Sequence, residues 1–89
     1  MLVSELKALC AYARGKSILF HSKVGLINGY TLETHPYTPT FNGQRMQTRF
    51  HYYIVGPDGR TCVENTSLAT FCSIASRWMN THPLPKETK

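Results

Sequence analysis

The sequence predicts an α+β domain in which a mostly antiparallel, four-stranded sheet carries an N-terminal and a C-terminal helix on one face. Three observations lead there. Apolar side chains recur at helical spacing near both ends of the chain. Side chains alternate with period two through residues 45–55, and a Gly56-Pro57-Asp58-Gly59 turn sends that strand back on itself. The chain is 89 residues long and 42% apolar, too short for two domains and too apolar for a disordered segment. Residues 1–80 are expected to form the single domain, and residues 81–89, with Pro83 and Pro85, a flexible tail.

Leu2, Leu6, Leu9, Cys10 and Ala13 make the stripe of an amphipathic helix over residues 2–14, with Gly15 as a left-handed stop. Residues 17–21 are short and apolar and read as a strand. Residues 24–34 read as another, with Ser22-Lys23 as the hairpin link and Gly29 as a bulge. Pro36, Pro39 and the Asn42-Gly43 pair turn residues 35–43 into an irregular loop or arm, a placement suited to binding. Phe41 in that loop is expected to fold back over the core; Tyr37 is open to either base stacking or a protein contact.

In the 45–55 strand, Met46, Thr48, Phe50, Tyr52 and Ile54 take the core face, while Arg45, Gln47, Arg49, His51 and Tyr53 take the wet face. Residues 60–64 return alongside it. Asn65, Thr66 and Ser67 are all competent N-caps for a last helix whose stripe is Leu68, Phe71, Cys72, Ala75, Trp78 and Met79.

Several chemistries are poorly supported by residue type and spacing. Three cysteines (Cys10, Cys62, Cys72) are an odd number for a disulfide scaffold, and neither they nor the four histidines include the close pairs of a structural zinc site. Reduced, buried thiols in a cytoplasmic protein fit better, with no metal and no cofactor expected. Met1–Lys7 shows no basic segment followed by an apolar run and a small-residue cleavage site, so no signal peptide is predicted. Phosphate-cradling glycine motifs and nucleophile elbows are absent. Glu33 and Glu64 are the carboxylates placed to meet across strands, yet a domain this short has little room for the pocket that paired acid–base work needs. No catalytic residues and no enzyme activity are therefore expected.

Residues 50–72 carry a further pattern: strand, Pro57-Asp58-Gly59 turn, strand, Asn65, then Leu68-Ala69-Thr70-Phe71-Cys72 opening a helix. This stretch resembles a short module of phage and bacterial proteins that often accompanies homing-type nucleases, in which a PDG turn and a second strand lead into N-L-x-x-F-C. The resemblance covers about a quarter of the chain and implies a small sheet backed by one helix, with contact to DNA. The chain departs from it by placing Thr66-Ser67 between the Asn and the Leu, and it has no nuclease His/Asn cluster alongside.

Ten Lys and Arg against five Asp and Glu give a formal charge of +5, which suits a polyanionic or acidic partner. The wet strand face would set Arg45, Arg49, His51 and Tyr53 in a row about 6–7 Å apart, with Arg60 at the turn, a spacing like that of phosphates along DNA. Lys23, Lys16 and Arg14 would extend the field if they share that side, and Tyr37 would add an aromatic contact. The leading expectation is a non-catalytic, phage-like module that engages DNA or a nucleic-acid-bearing complex. The alternative is a protein inhibitor that occludes a nuclease- or CRISPR-type host defence complex. A third option is self-assembly into a homodimer through an exposed Trp78/Met79 pair or a free sheet edge. The bland counterpart of all three is a solvated face that only keeps the domain soluble.

Overall fold

The computed structural model describes residues 1–17 and 19–84. Helix α1 (Val3–Lys16) leads into strands β1 (Ser22–Gly25) and β2 (Thr31–Tyr37). A small ribbon of β3 (Thr40–Phe41) and β4 (Gln44–Arg45) follows, then strands β5 (Arg49–Val55) and β6 (Thr61–Asn65) and helix α2 (Leu68–Thr81). Four strands form one antiparallel sheet in the order β1-β2-β5-β6. Helix α1 packs on β1 and β2, α2 on β5 and β6, and the helices pack on each other. The α+β architecture is the one the sequence predicts.

The period-two pattern decides which face the helices cover. Tyr52 and Ile54 of β5, Leu32 and Thr34 of β2 and Val63 of β6 point into the core, where Leu6, Cys10 and Ala13 of α1 meet Phe71, Cys72, Ala75 and Met79 of α2. Phe71 is fully buried and its ring stacks on Tyr52 at 5.4 Å. Helix α2 starts where Ser67 Oγ accepts from the Thr70 N–H at 3.4 Å, so Ser67 is the N-cap among the three competent residues. Leu2 opens α1 without a side-chain acceptor; instead Glu5 reaches back to accept from the Leu2 N–H at 3.3 Å. The start of the chain is tied to α2, since Ser76 Oγ donates to the Met1 carbonyl at 2.5 Å and the Met1 amine donates to Asn80 Oδ1 at 2.7 Å.

Thr34 is an exception in this core. Its hydroxyl is fully buried and has no hydrogen-bond partner among the described residues. An unmet hydroxyl costs about 1–3 kcal/mol, and valine has the same shape without it. Thr34→Val is expected to raise the urea midpoint, with a gain of about 1–2 kcal/mol. A loss of stability would show that the hydroxyl is engaged.

Three strand expectations need correction. Ser17 Oγ accepts from the N–H groups of Leu19 (3.0 Å) and Phe20 (2.9 Å). That local turn competes with extended backbone, so the strand expected over 17–21 is a bend; its Ile18 lies outside the described residues. Helix α1 also runs through Gly15, which is not a left-handed stop. The long strand over 24–34 is instead two strands joined at Asn28-Gly29. Gly29 has φ 92°, Asn28 Oδ1 accepts from the Tyr30 N–H at 3.1 Å, and the Leu26 N–H donates to the Tyr30 carbonyl at 2.8 Å. Ser22-Lys23, expected as the hairpin link, begins β1.

The third correction concerns residues 35–55. Strand β2 extends to Tyr37, and the strand expected to begin at 45 breaks between β4 and β5. Asn42 (φ 50°) and Gly43 (φ 77°) form a tight hairpin turn, a geometry that the Asn-Gly pair favours. Residues 40–47 are all exposed, and β3 and β4 pack chiefly on each other rather than on the sheet or the helices, so the ribbon stands out as an arm. Phe41 is 68% exposed on that arm rather than folded over the core, because the ribbon carries it past the helices.

Packing also continues beyond residue 80, where the tail was expected to begin. The Tyr30 hydroxyl donates to the His82 carbonyl, the His82 ring stacks on Trp78 at 4.1 Å, and Leu84 packs against the core. The rest of the expected tail, residues 85–89, lies outside the described residues. Met79 is buried and Trp78 meets Tyr30 edge-on at 5.5 Å, so the two do not form the exposed pair that a dimer contact would need. No helix among the described residues is long and apolar enough to cross a membrane.

Candidate functional site

The face of the sheet opposite the helices is open, and the strand register places its side chains in rows. One row runs Lys23, Glu33, Tyr53, Glu64 across β1, β2, β5 and β6. The next pairs His35 with His51, and the one nearest the arm pairs Tyr37 with Arg49. Rings dominate this surface. His21 stacks flat on His35, with centroids 3.7 Å apart and planes within 2°. His35 leans on Tyr53 at 4.3 Å, and Tyr37 packs on His51 at 4.6 Å. Polar bonds hold the rings in place: Glu33 Oε1 lies 3.0 Å from His35 Nε2, and His51 Nδ1 lies 3.3 Å from the Tyr53 hydroxyl. Beside them, His51, Tyr53, Glu64, Asn65 and Thr66 line a shallow depression of about 370 Å³.

The expected row of guanidinium groups is only partly formed. Arg49, His51 and Tyr53 share the open face as alternation requires. Arg45 belongs to the separate two-stranded ribbon, with three residues between it and the start of β5, so it does not continue the row. Arg60 lies past the opposite end of β5, about 20 Å from Arg49 along the strand, and pairs with Asp58 at 3.6 Å in an exposed contact. Lys23 and Tyr37 do lie on the open face. Arg14 does not: it sits half-buried in the helix layer near Tyr52, and Lys16 donates to the Lys23 carbonyl at 3.3 Å. Glu33 and Glu64 share a row with Tyr53 between them, about 10 Å apart rather than in contact.

On the open face, the cations without carboxylate neighbours are therefore those toward the arm. Between Glu33 and Asp58 the chain contains no carboxylate. Arg45 and Arg49 are exposed and neither is ion-paired among the described residues. The arm adds two exposed apolar side chains, Phe41 and Met46.

Residues missing from the sequence-based set are His21, His35, Asn65 and Thr66, all at the open face or its rim. The Asn28-Gly29 turn was the available signal. Placing the hairpin there sets the β2 register and turns Glu33, His35 and Tyr37 outward together.

The cysteines play no part in this surface. Cys10 and Cys72 are buried between the helices and the sheet, and all three thiols are free. Burial, reinforced by the neighbouring Cys72 sulfur, pushes the Cys10 thiol from 9.0 up to about 12. Burial likewise raises Cys72. Among the described residues, no three His, Cys, Asp or Glu side chains converge to hold a metal ion. No protein-family model matches the chain, and no curated protein or solved structure is significantly similar to it.

Proposed function

We propose that the domain is a small basic binding module that engages DNA, or a nucleic-acid-bearing complex, through the arm and the adjoining open sheet face. The observation that carries this reading is the carboxylate-free stretch from Thr34 to Pro57, in which Arg45 and Arg49 stand exposed and without an ion-pair partner among the described residues. Cations without acidic neighbours keep their full attraction for phosphates, and each phosphate they neutralise releases condensed counterions. Lys23 supports the field from β1. The role is binding and positioning, with no catalytic step assigned.

Direct binding should weaken by orders of magnitude between about 50 and 200 mM salt when several phosphates are contacted. Arg45→Ala combined with Arg49→Ala is expected to weaken binding and lower the salt slope by about two, one for each lost phosphate contact. Fluorescence anisotropy with a labelled oligonucleotide reads both. An unchanged affinity and slope in the double variant would sink the proposal.

One observation favours a second reading, a protein inhibitor of a nuclease- or CRISPR-type defence complex. Phe41 and Met46 give the arm the apolar anchors of a protein interface beside Arg45. That reading requires a domain that ignores nucleic acid at low salt yet binds a nuclease subunit, with Phe41→Ala abolishing the complex.

A further inference from the structure

The open face is built differently from a plain cationic plank, and the difference indicates the kind of strand it takes. A duplex offers a face such as this only phosphates and groove edges. A single strand also offers unstacked bases, and rings bind these by stacking. On the two central strands, His35, Tyr37, His51 and Tyr53 all project from the side opposite the helices, and the exposed His21 extends the set from beside β1. The depression at Tyr53 and His51 has room for one base, and Glu64 on its rim can accept from a base amino group. Glu64 and Glu33 also lie in the row farther from the arm, where they outnumber Lys23, so that row is net acidic and directs the backbone toward Arg49 and Arg45.

We infer that this face binds single-stranded DNA, with bases stacked on the Tyr53/His35/His21 and Tyr37/His51 ring groups and the backbone running past Arg49 toward the arm. The inference rests on the nucleic-acid reading above and narrows its ligand. Charge complementarity comes from the arm, and ring stacking supplies the preference for an unpaired strand. DNA is favoured over RNA because few acceptors are left to reward a ribose hydroxyl: Asn65 Oδ1 takes the Ser67 N–H at 2.8 Å, Glu33 Oε1 is bonded to His35, and Glu64 is taken by the base.

The test compares one labelled DNA sequence as a single strand, the same sequence as a duplex, and the matching single-stranded RNA, against the wild-type chain and the variants Tyr53→Leu and Tyr37→Leu. Leucine keeps apolar bulk on the sheet but removes the ring, and circular dichroism checks that each variant is folded. Single-stranded DNA is expected to bind more tightly than the other two. Each leucine variant is expected to cost about tenfold or more on the single strand and little on the duplex. If only one variant folds, its ratio of single-strand to duplex loss decides. Duplex binding equal to or tighter than single-strand binding, leucine variants without selective loss, or tighter binding of RNA would each overturn this inference while leaving the nucleic-acid reading intact. No binding to any of the three at low salt would end both.

Discussion

Phe71→Ala is expected to destabilise the domain by about 3–5 kcal/mol, close to the whole stability of a small fold. Three features make this side chain costly to remove. It is the largest fully buried one, it anchors the first turn of α2, and its ring stacks on Tyr52, linking the helix to β5. Truncation removes apolar area from the core and leaves a cavity between α2 and the sheet that rigid strands fill poorly. Urea denaturation followed by far-ultraviolet circular dichroism measures the effect, and a loss under about 1 kcal/mol would show that α2 does not hold the core as described.

Alkaline unfolding is the second large effect, and its sign follows from burial. Cys10 is held protonated up to about 12, against 9.0 for a free thiol. Cys72 is raised by burial, and Tyr52 is raised by burial against the opposing pull of the Arg14 guanidinium. These groups are neutral in the folded chain while the unfolded chain ionises, so the unfolded state gives up protons first. Their contribution to stability is complete below pH 9.0 and is lost as the pH climbs through the raised values toward 12. Each raised group removes at most about 1.4 kcal/mol per pH unit in that window. The urea midpoint is therefore expected to be flat up to about pH 9 and then to fall, and less steeply in Cys10→Ala. A midpoint unchanged toward pH 12 would contradict the buried thiol pair.

Both effects trace to residues whose roles could be read from spacing. The stripes Leu6/Cys10/Ala13 and Phe71/Cys72/Ala75/Met79 identify the two helices because 3.6-residue periodicity has no other simple reading. Tyr52 and Ile54 alternate inward on β5, and the turn at Pro57–Gly59 is local chemistry, with Asp58 Oδ1 accepting from the Arg60 N–H at 3.1 Å. Two other turns were missed, one of them at an Asn-Gly pair. The Ser17 hydroxyl and the Asn28 side chain each bend backbone that apolar content alone makes look extended.

What the sequence by itself determined was the α+β class, the helix stripes and the inward and outward faces of β5, because periodicity and turn chemistry act over a few residues. Tertiary structure decided which outward residues share a surface. Arg45 and Arg60 are near Arg49 in the chain, yet one rides on the arm and the other lies beyond the far end of the hairpin. His21, His35 and His51 are distant in the chain, and antiparallel register brings them to one face. Strand pairing is a long-range choice, set by the buried face and by turn positions, so the rings that dominate the open surface became visible only once β1, β2 and β5 were paired.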